Sequence, residues 1–492
     1  ILERDDENDR AVVDQMIMNI KKALAWDTAE FESARNQAFR LSQLVLWDKL
    51  ISYYLEAYEI ALKKSLTRSD QYLSKQVVDI SALLQQVTIV KPDWRKILVS
   101  PTLPEKFHML TELAWNLWWT WNSDAISLFE EIDPVLWKES RQNPLSLIEA
   151  ITIDKIHDLE QNPKFMAKLQ TVYQRFRGYM DVERNGKDDL VAYFSMEYGL
   201  HDSLKMYSGG LGVLAGDYIK EASDSNANMV AVGLIYRYGY FTQVISLFGD
   251  QVARYEALKF SHLPLTPARS NEGEWIRVSV ALPGRVVYAK VWILQVGRIS
   301  LYLMDADIPE NSEADRSISF NLYGGDEEMR FKQELLLGVG GIRLLDVLGV
   351  HPDIYHINEG HGAFIGLERL RKYVQIEKLN FMEALEVVRS STLFTTHTPV
   401  AAGHDHFTED LLLTYIPHYA DRLNITWDSF MNLGRMHKNR PEDKFSMSVL
   451  AVNFSQEVNG VSRLHGRVSQ EMFSPLFDGY FANEIPVGYV TN

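Results

Sequence analysis

Apolar residues recur at three- and four-residue spacing along "AFRLSQLVLWDKLISYYLEAYEIALKKSL" (38–66), with charges on the opposite face. That period predicts amphipathic helices over residues 1–66. No glycine or proline occurs before Pro92. From 67 to 103 the pattern breaks: "TRSDQ" is polar, and "VKPDW" and "SPTLP" carry prolines. This stretch reads as a linker. Helical spacing returns over 104–183. There, "LAWNLWWTWN" sets Trp115, Trp118 and Trp119 on one helical face and Trp121 off it. Such a stripe reads first as a packed interface and second as a surface for stacking sugars. "RNGKDD" (184–189) is a second break.

After 190 the period changes. "LVAYFSMEY", "NMVAVGLIYRYGYFTQVI", "DIYHIN", "STLFTT" and the final "IPVGYVTN" read as strands, the second running into a hairpin. A three-stranded meander is expected over 275–305, with turns at Pro283-Gly284 and Gly297-Arg298, and one long helix over 326–347. Strands alternating with helices predict an α/β fold for 190–492: a doubly wound parallel sheet preceded by helical segments. In such sheets, ligands collect at the loops that follow the strands.

Composition narrows the function classes. The net charge of −16 gives nucleic-acid binding no electrostatic support. No apolar run reaches the 18 or so residues of a membrane span. Cysteine is absent, which excludes disulfides and thiolate chemistry and fits a cytoplasmic protein. Ile1 and the apolar ending "VGYVTN" read as ends cut from something longer.

The candidate chemistry starts at "MYSGGLGVLAGD" (206–217). A glycine-rich loop opening a helix presents backbone N–H groups to an anion, usually a phosphate. It is not a Walker A loop, because no Gly-Lys-Ser/Thr follows. Gly210, Gly212 and Ala215 match Gly-x-Gly-x-x-Ala, so a dinucleotide site is an alternative. Its context is poor: the preceding strand ends early, and Arg237 and Tyr238 stand where an acid would bind the ribose. Six of the 13 histidines lie between 351 and 406. His361 and His397 follow predicted strands, at the edge shared with the glycine loop. A metal site from His404, His406, His361 and Glu359 is a further alternative, although no tight ligand spacing supports it. His351, His356 and His404 are expected to be structural.

Several ordered stretches resemble one family. "YFSMEYGL", "SGGLGVLAGD", "GLIYRYGYFTQ", "GGDEEMRFKQELLLGVGG", "YHINEGHGAF", "TTHTPVAAGHDHF", "VNGVSRLH" and the terminal "VTN" are similar to the N-terminal half of bacterial α-glucan (glycogen, starch, maltodextrin) phosphorylases. Residues 104–183 resemble the helical preface of many bacterial members. Residues 30–66 resemble the C-terminal tail of eukaryotic-type glycogen synthases, which implies a synthase–phosphorylase fusion. The resemblance implies one half of a two-domain glycosyltransferase cleft. The reaction implied is retaining transfer of glucosyl from an α-1,4-glucan to inorganic phosphate, releasing glucose 1-phosphate. Gly209, Gly210, Leu211 and Gly212 would approach the phosphate through backbone N–H groups. His397 would bond a sugar hydroxyl, and Asn492 another. Glu359 and His361 would line the site, with Glu197 and Tyr198 near the cofactor. That cofactor would be pyridoxal phosphate on a lysine outside this chain, so the chain alone would be inactive. Ser208, Val213 and Gly199 depart from the residues many members carry. No metal is implied, and a homo-oligomer is compatible with the resemblance. The competing reading is a non-catalytic glucan-binding or assembly module; another sugar-nucleotide transferase is a third.

Overall fold

A computed structural model describes residues 9–42, 56, 59–60, 63–64, 103–183, 188–399, 403–438 and 440–492. The expected linker 67–103, apart from Leu103, and most of the stretch resembling a synthase tail lie outside the described residues. The chain divides into two compact units, residues 1–98 and 99–492. In the first, helices Asp9–Leu24 and Thr28–Ser42 are described. A reciprocal pair starts the second of these helices. Glu30 N–H donates to the Asp27 carboxylate at 2.8 Å, and Asp27 N–H donates to the Glu30 carboxylate at 3.1 Å.

Among the described residues the second unit contains fourteen strands: β1 (Val191–Phe194), β2 (Met229–Leu234), β3 (Thr242–Ile245), β4 (Gln251–Arg254), β5 (Leu265–Pro267), β6 (Arg277–Leu282), β7 (Arg285–Val296), β8 (Ile299–Asp305), β9 (Ile354–Asn358), β10 (Thr392–Thr396), β11 (His406–Phe407), β12 (Phe445–Ser446), β13 (Glu457–Gly460) and β14 (Val487–Tyr489). Ten of them form one sheet in the order β14-β13-β10-β9-β1-β2-β8-β7-β5, with β6 also on β7. From β14 to β8 every pairing is parallel; β7, β6 and β5 pair antiparallel. The expectation of a parallel sheet is therefore met in its centre and corrected at one edge. The reason is the meander: turns at Gly284 and Gly297, both at positive φ, fold β6, β7 and β8 back on themselves.

Alternate residues of the central strands enter opposite cores. Ala192 and Phe194 of β1 join one cluster with Val232, Phe331 and Phe364, and Tyr193 joins another with Ala231, Ile219 and Leu301. Both faces are thus covered by helices, as buried parallel strands require. The chain moves from β1 outward to β2 and β8, then returns to β9 on the other side of β1. That reversal opens a crevice at the C-terminal ends of β1 and β9. The expected long helix is Glu327–Leu335 and Gly341–Leu348, joined by a π-helical turn over Leu336–Gly340.

The tryptophan-rich segment is built into this same unit. The helix His108–Ala114 stops before Asn116, so the four tryptophans do not share one helix. Asn116 caps the next turn through Trp118 N–H and bonds both N–H and C=O of Gly297, at 2.9 Å each. Trp118 and Trp119 are buried in a core with Phe129, Trp137 and Phe176, and Trp121 donates to Asp224 at 3.2 Å. Trp118 and Trp119 fill the core of the helical layer, and Trp121 ties that layer to the helix Gly210–Asp224; these three do not form a sugar-stacking face.

Candidate active site

A cleft of about 620 Å³ lies at the C-terminal ends of the central strands. The loop after β1 contributes Glu197, and the segment before the helix Gly210–Asp224 contributes Ser208, Gly209, Gly210 and Leu211. Glu359 and His361 follow β9, His397 follows β10, and Asn492 follows β14. The structure thus brings Gly209, Gly210, Leu211, Glu359, His361, His397, Asn492 and Glu197 to one concavity.

Two expected residues are placed elsewhere. Gly212 is buried and does not line the cleft; a Cβ on it would lie 2.4 Å from Tyr207 Cβ and 2.8 Å from Glu197 Oε2. It is glycine because the chain packs there. Tyr198 turns into the core, where its hydroxyl donates to the Tyr193 and Val232 carbonyls. By contrast, a Cβ on Gly209 or Gly210 would meet nothing within 4 Å. Space stands open over this backbone, at the start of a 15-residue helix whose first N–H groups lack intrahelical partners. Glu197 fixes the loop by accepting from Ser208 N–H at 2.7 Å and Oγ–H at 3.2 Å.

A hydrogen-bonded chain orients His397. Ser195 Oγ–H donates to the Glu197 carbonyl at 2.8 Å, and Asn358 Nδ2 donates to Ser195 Oγ at 3.0 Å. Asn358 Oδ1 is therefore an acceptor, and His397 Nε2–H donates to it at 2.5 Å. Burial, helped by nearby His465 and His361, pushes the His397 imidazole down to about 4, so the ring is neutral. With the proton on Nε2, Nδ1 is left as an acceptor. His397 N–H in turn donates to Glu359 Oε2 at 2.8 Å.

Glu359 is 1 % exposed and sits at φ +66°, where a non-glycine residue is strained. Burial raises its carboxyl to about 7, against the opposing pull of His361 and of two backbone N–H donors. A second group stands behind His361. Arg330 donates to Asp405 at 2.5 Å, and His361 Nε2 lies 3.4 Å from the same oxygen. Burial opposes the Asp405 charge, but His361, Glu334 and Arg330 together hold its carboxyl well below the usual range. Burial first, then the Asp405 charge, pushes Glu334 well above the usual range, so Glu334 is neutral. The Arg330 guanidinium lies 4.3 Å over the Tyr323 ring.

Residues 350–485 match the family model described as carbohydrate phosphorylase, and residues 103–204 match one described as a protein of unknown function (DUF3417). The chain is 41% identical over 401 residues to the maltodextrin phosphorylase of Thermococcus litoralis, covering 80% of this chain and 47% of that protein. It is 39% identical over 422 residues to the glycogen phosphorylase of Mycobacterium tuberculosis (81% and 49%). It is 34% identical over 386 residues to that of Aquifex aeolicus (78% and 55%). The chain belongs to the carbohydrate phosphorylase family. It spans about half the length of these curated relatives.

Within this phosphorylase fold, sequence reasoning missed Tyr323, Arg330, Thr398, Gly403 and Val461 as cleft residues. Arg330 lay inside a quoted motif, but on a helix whose period points only to packing. Tyr323 sits at φ +55°, which no local pattern announces. Of the histidines weighed as metal ligands, His404 Nδ1 pairs with Ser448 Oγ at 2.6 Å and His406 Nδ1 with the His404 carbonyl at 2.7 Å. Among the described residues, no three His, Asp or Glu side chains converge as metal ligands.

The state of Glu359 has a consequence for stability. Its folded pKa is raised, so its contribution is complete below the unfolded value near 4.5 and is lost as pH rises through 7. Between pH 5 and 8 the protein should lose about 2.5 kcal/mol that Glu359→Gln does not lose. Denaturant melts of both proteins at the two pH values check this; equal losses would mean that the carboxyl is not held neutral.

Proposed function

We propose that the whole protein is an α-glucan phosphorylase and that this chain supplies one wall of its cleft. The reaction is retaining transfer of a glucosyl unit from the non-reducing end of an α-1,4-glucan to inorganic phosphate. The observation that carries this reading is the single cleft in which an uncovered glycine backbone at a helix N-terminus faces a neutral, oriented histidine. Phosphate binds against the N–H groups of Gly209, Gly210 and Leu211. His397 Nδ1 accepts from a glucosyl hydroxyl, and Asn492 bonds another. Glu359 and His361 line the sugar's side. His397, held neutral by burial, sets no positive charge of its own against the one that grows on the anomeric carbon.

Pyridoxal phosphate, the cofactor implied by the family resemblance, would supply a phosphate as proton donor and acceptor toward substrate phosphate. The cleft wall does not fit as its holder. Among the described residues no lysine lines it, and Arg330 is engaged by Asp405. We therefore assign the cofactor to residues outside this chain. The same reading carries a cytoplasmic location, is compatible with a homo-oligomer and, from the resemblance of residues 30–66 alone, includes a fused glycogen-synthase tail.

Incubating the full-length protein with maltoheptaose and inorganic phosphate should release glucose 1-phosphate. Failure to release it with cofactor bound overturns the reading. Gly209→Ala adds a methyl group that meets no protein atom, at a φ of −159° that any residue adopts. It should leave the melting temperature unchanged and raise KM for phosphate about tenfold, or about 1.4 kcal/mol. An unchanged KM removes the loop from phosphate binding.

A further inference from the structure

A second depression, of about 600 Å³, opens beside the first and shares Ser208 with it. One side is the tryptophan-rich helical layer, which contributes Lys138, Arg141 and Gln142; the other is the α/β layer, with Lys205, Tyr207 and Phe241. Its size falls in the ordinary range of small-ligand sites, about 300–1,000 Å³.

Two features separate it from an ordinary surface dip. Arg141 and Gln142 are consecutive non-glycine residues at φ +54° and +59°. This strained bend is pinned on both sides. Gln142 N–H donates back to the Trp137 carbonyl, and Asn143 both caps the next helix and donates to the His262 carbonyl at 2.9 Å. Strain held this firmly on a rigid frame is what ligand clamps show. The opposite wall is aromatic. Tyr240 and Phe241 lie 4.5 Å apart at a 33° tilt, with Tyr255 packed on Phe241 at 6.1 Å. Rings beside long-chain donors suit a polyhydroxylated ligand, whose ring faces are apolar and whose edges carry hydroxyls.

We propose that this groove binds a stretch of the same α-glucan chain, several units from the reacting end, and that the helical layer of residues 103–183 exists in part to build it. The proposal rests on the phosphorolysis reading, since the shared Ser208 makes the groove continuous with that cleft. The groove acts on long chains only: a glucan too short to leave the cleft never reaches it.

The test measures phosphorolysis by the full-length protein with maltotetraose and with maltoheptaose, for wild type, Phe241→Ala and the surface variant Lys138→Ala. The expected result is a KM for maltoheptaose raised about tenfold in Phe241→Ala and a few-fold in Lys138→Ala. The values for maltotetraose, kcat and the melting temperature should stay unchanged. If KM for both glucans is unchanged in both variants, the groove proposal is overturned and the reading of the cleft stands. If wild type releases no glucose 1-phosphate, that reading falls, and equilibrium binding of maltoheptaose decides the groove alone: weakening by Phe241→Ala supports it, and no binding or no weakening overturns it. A groove that takes up inorganic phosphate, with this uptake lost in Lys138→Ala while maltoheptaose affinity is unchanged, is an anion site, and the proposal is overturned.

Discussion

His397→Ala in the full-length protein should lower phosphorolysis by a factor of about 10² to 10³, corresponding to roughly 2.7–4 kcal/mol of transition-state stabilisation. Two losses add. The sugar hydroxyl loses its acceptor on Nδ1, and the cleft loses the ring that fills the space beside Glu359. The variant also strips Asn358 Oδ1 of its partner, and Asn358 is 1 % exposed. An orphaned buried acceptor costs about 1–3 kcal/mol, so some fall in melting temperature is expected alongside the kinetic loss. The decisive quantity is therefore the rate per folded molecule, with melting temperature measured on the same preparation. A lower melting temperature with an unchanged rate would assign His397 to packing alone and remove the central side chain of the proposed mechanism.

Gly216→Ala should destabilise the protein by about 3 kcal/mol, although alanine is intrinsically the better helix former by about 1 kcal/mol. The new Cβ would stand 2.1 Å from the Gly199 carbonyl oxygen and 2.7 Å from its carbon. Both are backbone atoms, so no side chain can rotate away. One turn earlier, the Gly212 carbonyl accepts from Gly199 N–H at 2.6 Å, which ties the helix Gly210–Asp224 to the loop carrying Glu197. Pushing this contact apart moves the helix N-terminus that lines the cleft, so activity should fall with stability. Chemical denaturation of Gly216→Ala beside Gly209→Ala makes the comparison: one glycine required by packing, the other by nothing in the protein itself. Equal stabilities would refute the close approach seen at Gly199.

The strands at 191–194, 354–358 and 392–396 and the meander at 277–305 were legible because a strand buried on both faces is a short apolar run and a hairpin needs glycine at its turns. From those runs the strand-end rule already placed Glu359, His361 and His397 at one edge. The motif "SGGLGVLAGD" was legible as a loop that exposes N–H groups, because glycine clusters have few other uses. What each glycine does was not legible. Gly209 and Gly212 look alike in sequence, yet one borders open space and the other is wedged between Tyr207 and Glu197, since clearance depends on residues elsewhere in the chain. The same holds for the tryptophans, whose helix ends early because Asn116 bonds a turn 181 residues away. Strand order is also long-range: β1 sits between β2 and β9, and that reversal, which makes the crevice, has no local signature. Arg330, Asp405 and Glu334 show why charge states escape a linear reading. Each looks like an ordinary surface charge in sequence; only burial in one cluster leaves Asp405 ionised and Glu334 neutral, because a low-dielectric interior favours one paired charge over two like ones. The sequence by itself determined the elements, the family and most of the residues at the edge. Tertiary structure decided which of them meet, in what protonation state, and with how much room between them, because those properties are set by neighbours that the chain order does not adjoin.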